Sequence, residues 1–259
     1  RDVTARLRRV FETRRIGHGG TLDPMATGVL PVFVGRATRG VEFFEHAEKT
    51  YETLLLPGVV TDTEDVTGTV LERHPAALTE AAVEAVLPRF RGEILQVPPM
   101  YSALKVNGQK LCDLARKGQT VERKPRPVTI HELAFLGFQD DCLRLRVRCS
   151  KGTYIRTLCK DLGEALGCGG CMAQLRRVSA GSYTIGQAVP LETLLESADP
   201  GQYLLPVDSL FASLPALTLT PNQETRCRNG NPFTRNVPDG RYRCYGKSGE
   251  FLMLGSVRD

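Results

Sequence analysis

Residues 142–149 read Cys142-Leu143-Arg144-Leu145-Arg146-Val147-Arg148-Cys149. Apolar and basic side chains alternate one for one, which is the period of a β-strand, where successive side chains point to opposite faces. One face is apolar and the other carries three arginines, so the stretch predicts a half-buried strand with one basic face. Working outward, 128–137 reads as a second strand. Residues 157–166 read as an amphipathic helix stopped by Gly167.

Further out the same alternation of textures continues. A helix is predicted over 2–15, where Val3, Leu7, Val10 and Phe11 share a face. A glycine-rich loop at 17–28 follows, and then a buried strand over 29–34. Residues 51–56 read as a strand closed by Pro57-Gly58, 61–65 as a polar turn, and 68–70 as the start of another strand. Thr79 is a helix N-cap for a segment running to Phe90, with Ala82, Val83, Val86 and Leu87 on one side. A short helix at 111–117 ends at Gly118. Residues 187–205 read as a linker with a helical stretch. From Leu217 onward, short strand-like pieces lie between Asn-Gly-Asn, Pro-Asp-Gly and Lys-Ser-Gly turns. The chain is therefore expected to divide into domains at 1–205 and 206–259.

The chain has 259 residues, a length suited to one large domain or two unequal ones. Hydrophobic residues at 41% and charged residues at 24% exclude wholesale disorder. No apolar run approaches the ~20 residues that span a bilayer, and no secretory-type opening precedes the first helix. Net charge is +5, yet residues 105–160 alone hold 13 basic and 5 acidic side chains, a local excess of +8. Arginine supplies 26 of the 34 cations, and its planar fork suits phosphate. A polyanionic partner is therefore plausible, though high arginine content also arises from genomic base composition.

Eight cysteines, Cys112, Cys142, Cys149, Cys159, Cys168, Cys171, Cys227 and Cys244, are scattered along a chain long enough to bury its own core. Only Cys168 and Cys171 form a C-x-x-C, and a zinc site usually needs a second such pair. Free thiols in reducing cytoplasm are the expected state. Asp62, Glu64 and Asp65 could hold a hard cation, but the surrounding Thr and Gly residues equally describe a solvated turn.

The loop Gly17-His18-Gly19-Gly20-Thr21-Leu22-Asp23-Pro24-Met25-Ala26-Thr27-Gly28 brings a histidine and a carboxylate together. Three glycines in four positions let backbone approach a ligand closely. Such a loop is a plausible site for nucleophilic or acid/base chemistry, and an ordinary turn has the same composition. It lacks the Gly-Lys-Ser/Thr of a phosphate-cradling P-loop.

GHGGTLDPMATGVLPVFVGRATR from Gly17 resembles the signature of the TruB-type tRNA pseudouridine synthases, which isomerise uridine 55 in the TΨC loop. Further stretches resemble that family in the same order: KTYETLLLPGVVTDTEDVTG at 49–68, VPPMYSALKVNGQKLCDLARKG at 97–118, RCSKGTYIRTLCKDLGEALGCGG at 148–170, and QLRRVSAGSY at 174–183. The resemblance implies that Asp23 is the catalytic aspartate, acting at the ribose C1′ or on the 2′-proton; the sequence leaves both routes open. It implies Arg156 as the cation paired with Asp23. It implies that Tyr51 stacks on a flipped-out uracil and assists proton removal at C5, and that Tyr154 borders the pocket. His18 would contact the RNA and Leu175 would line the uracil pocket. Without the motifs, both tyrosines read as core residues.

The resemblance also implies an α+β fold: a mixed, mostly antiparallel sheet with flanking helices and a central cleft, then a small PUA-like β-domain that binds RNA. It implies no cofactor or metal, a tRNA partner, no membrane association, no obligatory protein partner, a monomer, and a cytoplasmic location. Lys105, Lys110, Arg116, Lys117, Arg123, Lys124 and Arg126 are candidate phosphate contacts. Two departures stand out. Gly19 replaces the family's usual Thr and is expected to loosen the loop. The family's usual opening stretch is not present before Arg1. The alternatives are a guide-RNA-dependent synthase and a non-catalytic RNA-binding or RNA-folding protein of the same fold.

Overall fold

The alternation at 142–149 is realised as a strand of a seven-stranded sheet in the computed structural model, which describes residues 2–258. In chain order that sheet contains β1 (Thr27–Gly28), β2 (Lys49–Pro57), β3 (Gly92–Gln96), β4 (Arg126–Gln139), β5 (Cys142–Cys149), β6 (Gly170–Ala180) and β7 (Tyr183–Thr184). A separate three-stranded sheet holds β8 (Ala216–Thr218), β9 (Gly240–Tyr245) and β10 (Phe251–Val257). Apart from the single turn Val41–Phe44, the α-helices are α1 (Asp2–Val10), α2 (Glu80–Val86), α3 (Leu111–Ala115), α4 (Ile155–Ala165), α5 (Leu191–Glu196) and α6 (Pro221–Arg228). None of the described helices is long and apolar enough to cross a membrane.

Contacts divide the chain into two compact units. The larger comprises His18–Val32 and Phe44–Ala188. It contains the seven-stranded sheet, ordered β7-β6-β2-β5-β4-β3, with β1 pairing parallel to β6 and every other pairing antiparallel. Leu143, Leu145 and Val147 of β5 are fully buried beside Leu55 of β2 and Met172 of β6. Helix α4 covers β6 and β2 on this side with Leu158 and Leu162, and α2 packs on β4. The smaller unit joins the segment up to Gly17, Phe33–Phe43 and the chain from Val189 onward. Leu217, Leu219, Tyr242 and Cys244 form one small core within it.

The other side of β5 differs from its sequence reading. Arg146 lies 3.9 Å from Glu132 of β4 and opposite Glu52 of β2. Arg148 lies 2.7 Å from Glu48 and 3.8 Å from Glu132. Neighbouring segments thus supply carboxylates to two of the three arginines on a face that looked basic in one dimension, because cross-strand partners are distant in sequence.

Several expected boundaries shift. The first helix stops at Val10, and Glu12 takes a left-handed φ of 46°. Only Val32–Val34 of the expected 29–34 strand is extended in a ladder. Pro31 has no N–H to donate, and the Val29 amide is drawn instead to the Arg177 carbonyl. Thr79 caps α2 as expected, accepting from Ala82 N, but the helix tightens into a 3₁₀ turn at Leu87–Phe90. The texture after Leu217, read as all-β, contains α6. There, Thr220 and Gln223 form a capping box with Pro221 at the first helical position.

Candidate active site

The loop bearing Asp23 is fixed by backbone before any side chain is considered. Gly19 N donates to Pro31 O, and Ala26 N donates to Asp23 O, closing a turn over the aspartate. Gly28 adopts φ 103°, and a Cβ there would lie 2.1 Å from the Arg177 carbonyl oxygen. Only glycine lets the loop return onto β6 at this point. Met25 and Ala26 pack against the main core and anchor the turn from below. Gly19 is accounted for differently: a Cβ would meet the buried Phe44 ring at 2.3 Å. The expected loosening is offset, because that ring occupies the space a threonine side chain would need.

Asp23 meets Arg156 directly. Arg156 Nε donates to Oδ2 at 2.8 Å and Nη2 to Oδ1 at 3.2 Å, a bidentate pair that fixes the plane of the carboxylate. The Arg156 side chain is 5% exposed and that of Asp23 31%, so the carboxylate alone opens to solvent. The guanidinium also donates to Thr63 O and Tyr101 O. It therefore stitches three segments together at the N-terminal turn of α4.

The acidic turn serves this arginine. Asp65 accepts from Thr63 Oγ1, Thr67 N and Thr67 Oγ1, and its second oxygen lies 3.9 Å from Arg156. Glu64 accepts from Thr157 of α4, and Asp62 accepts from Thr69 N. Each carboxylate is thus committed to a different protein donor. No cluster able to hold a metal occurs among the described residues. Cys168 and Cys171 are buried free thiols, and burial pushes Cys171 up to about 11.

Tyr154 immediately precedes α4. The buried Gln96 brackets its backbone, accepting from Tyr154 N at 3.0 Å and donating to Tyr154 O at 3.2 Å. Tyr51 sits on β2, opposite Val147 on one side and Arg177 on the other. Burial pushes both phenols above their ordinary pKa. Both tyrosines are neutral at physiological pH, suited to stacking and hydrogen bonding. Leu175 is buried in the same cluster that Tyr51 packs against. His18 Nδ1 is buried without a hydrogen-bond partner among the described residues.

The structure thus pairs Asp23 with Arg156, sets Tyr154 two residues before that arginine, and packs Tyr51, and Met25 of the aspartate loop, against the cluster that holds Leu175. Sequence reading missed Gln96, Lys49 and Arg177. Gln96 and Lys49 carry no local signal. Arg177 carries one, since it follows Arg176 on a strand and one of two adjacent arginines must face inward.

Residues 8–155 match the TruB family pseudouridylate synthase N-terminal domain, and 156–212 match the tRNA pseudouridylate synthase B C-terminal domain. The chain is 46% identical over 264 residues to tRNA pseudouridine synthase B of Stutzerimonas stutzeri, covering 98% of this chain and 86% of that protein. It is 48% identical over 257 residues to the protein of that name from Dechloromonas aromatica, with the same coverage. Among solved structures, a chain of a Cbf5-Nop10-Gar1 complex superposes with a TM-score of 0.72 at 24% identity, covering 98% of this chain and 73% of that one. At that identity the likeness speaks for the fold.

Proposed function

This chain belongs to the TruB family of pseudouridylate synthases, and on that premise we propose that it isomerises uridine to pseudouridine at position 55 in the TΨC loop of tRNA. The observation that carries the assignment of chemistry is the Asp23–Arg156 pair: a carboxylate fixed in orientation by a buried arginine, with only its own oxygens open to solvent.

The reaction breaks the N1–C1′ bond, turns the uracil and forms a C5–C1′ bond. The C5 proton is lost and N1 gains one, so no atom is added overall. A carboxylate serves the first step by adding to C1′, as in retaining glycosidases, or by removing the 2′-proton to give a glycal. A deuterium at C2′ separates the routes, since only the second breaks that C–H bond. Tyr51 stacks on the flipped uracil, and its neutral phenol assists proton removal at C5. Tyr154 and Leu175 border the uracil, and His18 contacts the RNA.

Lys105, Lys110, Arg116, Lys117, Arg123, Lys124 and Arg126 contact phosphates, supplying affinity and salt dependence rather than base reading. Residues 206–259 bind the acceptor-side stem as a small β-domain. The enzyme needs no cofactor, guide RNA or protein partner, acts as a monomer, and works in the cytoplasm where tRNA is processed. The test is to incubate the purified protein with an unmodified tRNA transcript and map pseudouridine by position. One modification per molecule at the TΨC uridine, with no added RNA or protein, is expected. Normal tRNA binding without product, or product only when a guide RNA is added, would overturn the reading.

A further inference from the structure

Arg177 of β6 is 1% exposed, the most deeply buried charged side chain described. An arginine stays charged in proteins, so its burial demands full hydrogen bonding. No carboxylate pairs with it among the described residues. Its acceptors belong instead to the loop that carries Asp23. Nε donates to Val29 O at 2.7 Å, and Nη2 donates to Gly20 O at 3.1 Å. These oxygens flank Asp23, three residues before it and six after. The backbone of Arg177 completes the joint, because its carbonyl accepts from Val29 N at 2.8 Å.

Across the strand pairing, Arg177 stands directly opposite Tyr51 of β2. Nearby, the buried Lys49 donates to Ala47 O, and its Cε lies 3.7 Å from where a Cβ on Gly20 would sit. One residue therefore grips both ends of the aspartate loop with its side chain and pairs with Tyr51 through its strand.

We infer that Arg177 is a positioning residue that sets the spacing between the Asp23 loop and Tyr51, through its bonds to Gly20 and Val29 and its strand pairing with Tyr51. This rests on the synthase reading above. Arg156 orients the carboxylate from below, and Arg177 fixes the loop that carries it. Misplacement of a reacting group by about 1 Å typically costs on the order of 10²-fold in rate. Loss of this anchor should therefore appear in the chemical step and leave tRNA capture intact.

The experiment compares wild type, Arg177→Met and Arg177→Lys. It measures single-turnover pseudouridine formation at saturating tRNA, tRNA affinity, and the thermal midpoint, with rates taken well below each midpoint and normalised to folded protein. The expected result is an Arg177→Met rate about 10²-fold below wild type with affinity within about threefold. Arg177→Lys, which keeps the charge and can reach one carbonyl, should recover part of that loss. A folded Arg177→Met protein with a wild-type rate would overturn the inference. So would a defect confined to affinity, or failure of both variants to fold, which would assign the residue to the core alone. Wild type without product would instead defeat the synthase reading, so the two failures are distinguishable.

Discussion

Arginine occurs in two settings in this molecule, and they teach opposite lessons. On β5, Arg146 and Arg148 stand on an exposed face, each sharing Glu132 at nearly 4 Å, with Glu48 close to Arg148. Inside the same unit, Arg156 and Arg177 are almost wholly buried and donate to fixed oxygens of the loop bearing Asp23 and its surroundings. Exposed pairs are exchangeable, screened by salt, and worth about 0–1 kcal/mol. A buried arginine holds its partners because leaving any of them unpaired is costly. Sequence makes the strand the conspicuous arginine feature, whereas the structure puts the consequential arginines elsewhere.

The largest effect expected on the interior side is chemical. Asp23→Asn keeps the loop's shape but removes the carboxylate, and should lower single-turnover pseudouridine formation by about 10³-fold or more. Retained activity in that variant would break the comparison at its root. Next comes the apolar face of β5 itself. Leu145→Ala should cost about 2–5 kcal/mol in denaturant unfolding, because Leu145 is fully buried in the main core.

Asp161 on α4 gives a pH test of interior charge. Burial pushes its carboxyl up to about 6, with Glu164 and Glu64 adding and Lys160 opposing. The folded state thus binds this proton more tightly than the unfolded chain, whose aspartates titrate near ~3.9. Its contribution is fully present below pH ~4 and is lost as pH rises through about 6. Asp161→Asn should flatten that decline in thermal midpoint between pH 4 and 7. The smallest effect belongs to the exposed face: Arg148→Met should change stability by less than about 1 kcal/mol, and raised salt should shrink the difference further.

The same contrast explains what the sequence made legible. The boundaries of β5 were readable because one-sided burial imposes strict alternation, and Thr79 was readable because capping is local. Strand β6 went unread. Its run is buried on both sides near Cys171 and Met172 and is interrupted by an irregularity between Met172 and Gln174, so no clean period survives. Helix α6 hid among turn residues although its capping box was in view. Asp23 and Arg156, 133 positions apart, were linked only by resemblance to a family, since nothing local could join them. Arg177 escaped because its partners are backbone carbonyls, which leave no mark on a sequence.

The most direct measurement sets the two arginine environments side by side. Arg156→Met and Arg148→Met would be compared in single-turnover pseudouridine formation on one unmodified tRNA at saturation. The account predicts a loss of at least about 10²-fold for Arg156→Met and a rate within about twofold of wild type for Arg148→Met. Equal rates in the two variants, or the greater loss in Arg148→Met, would contradict it.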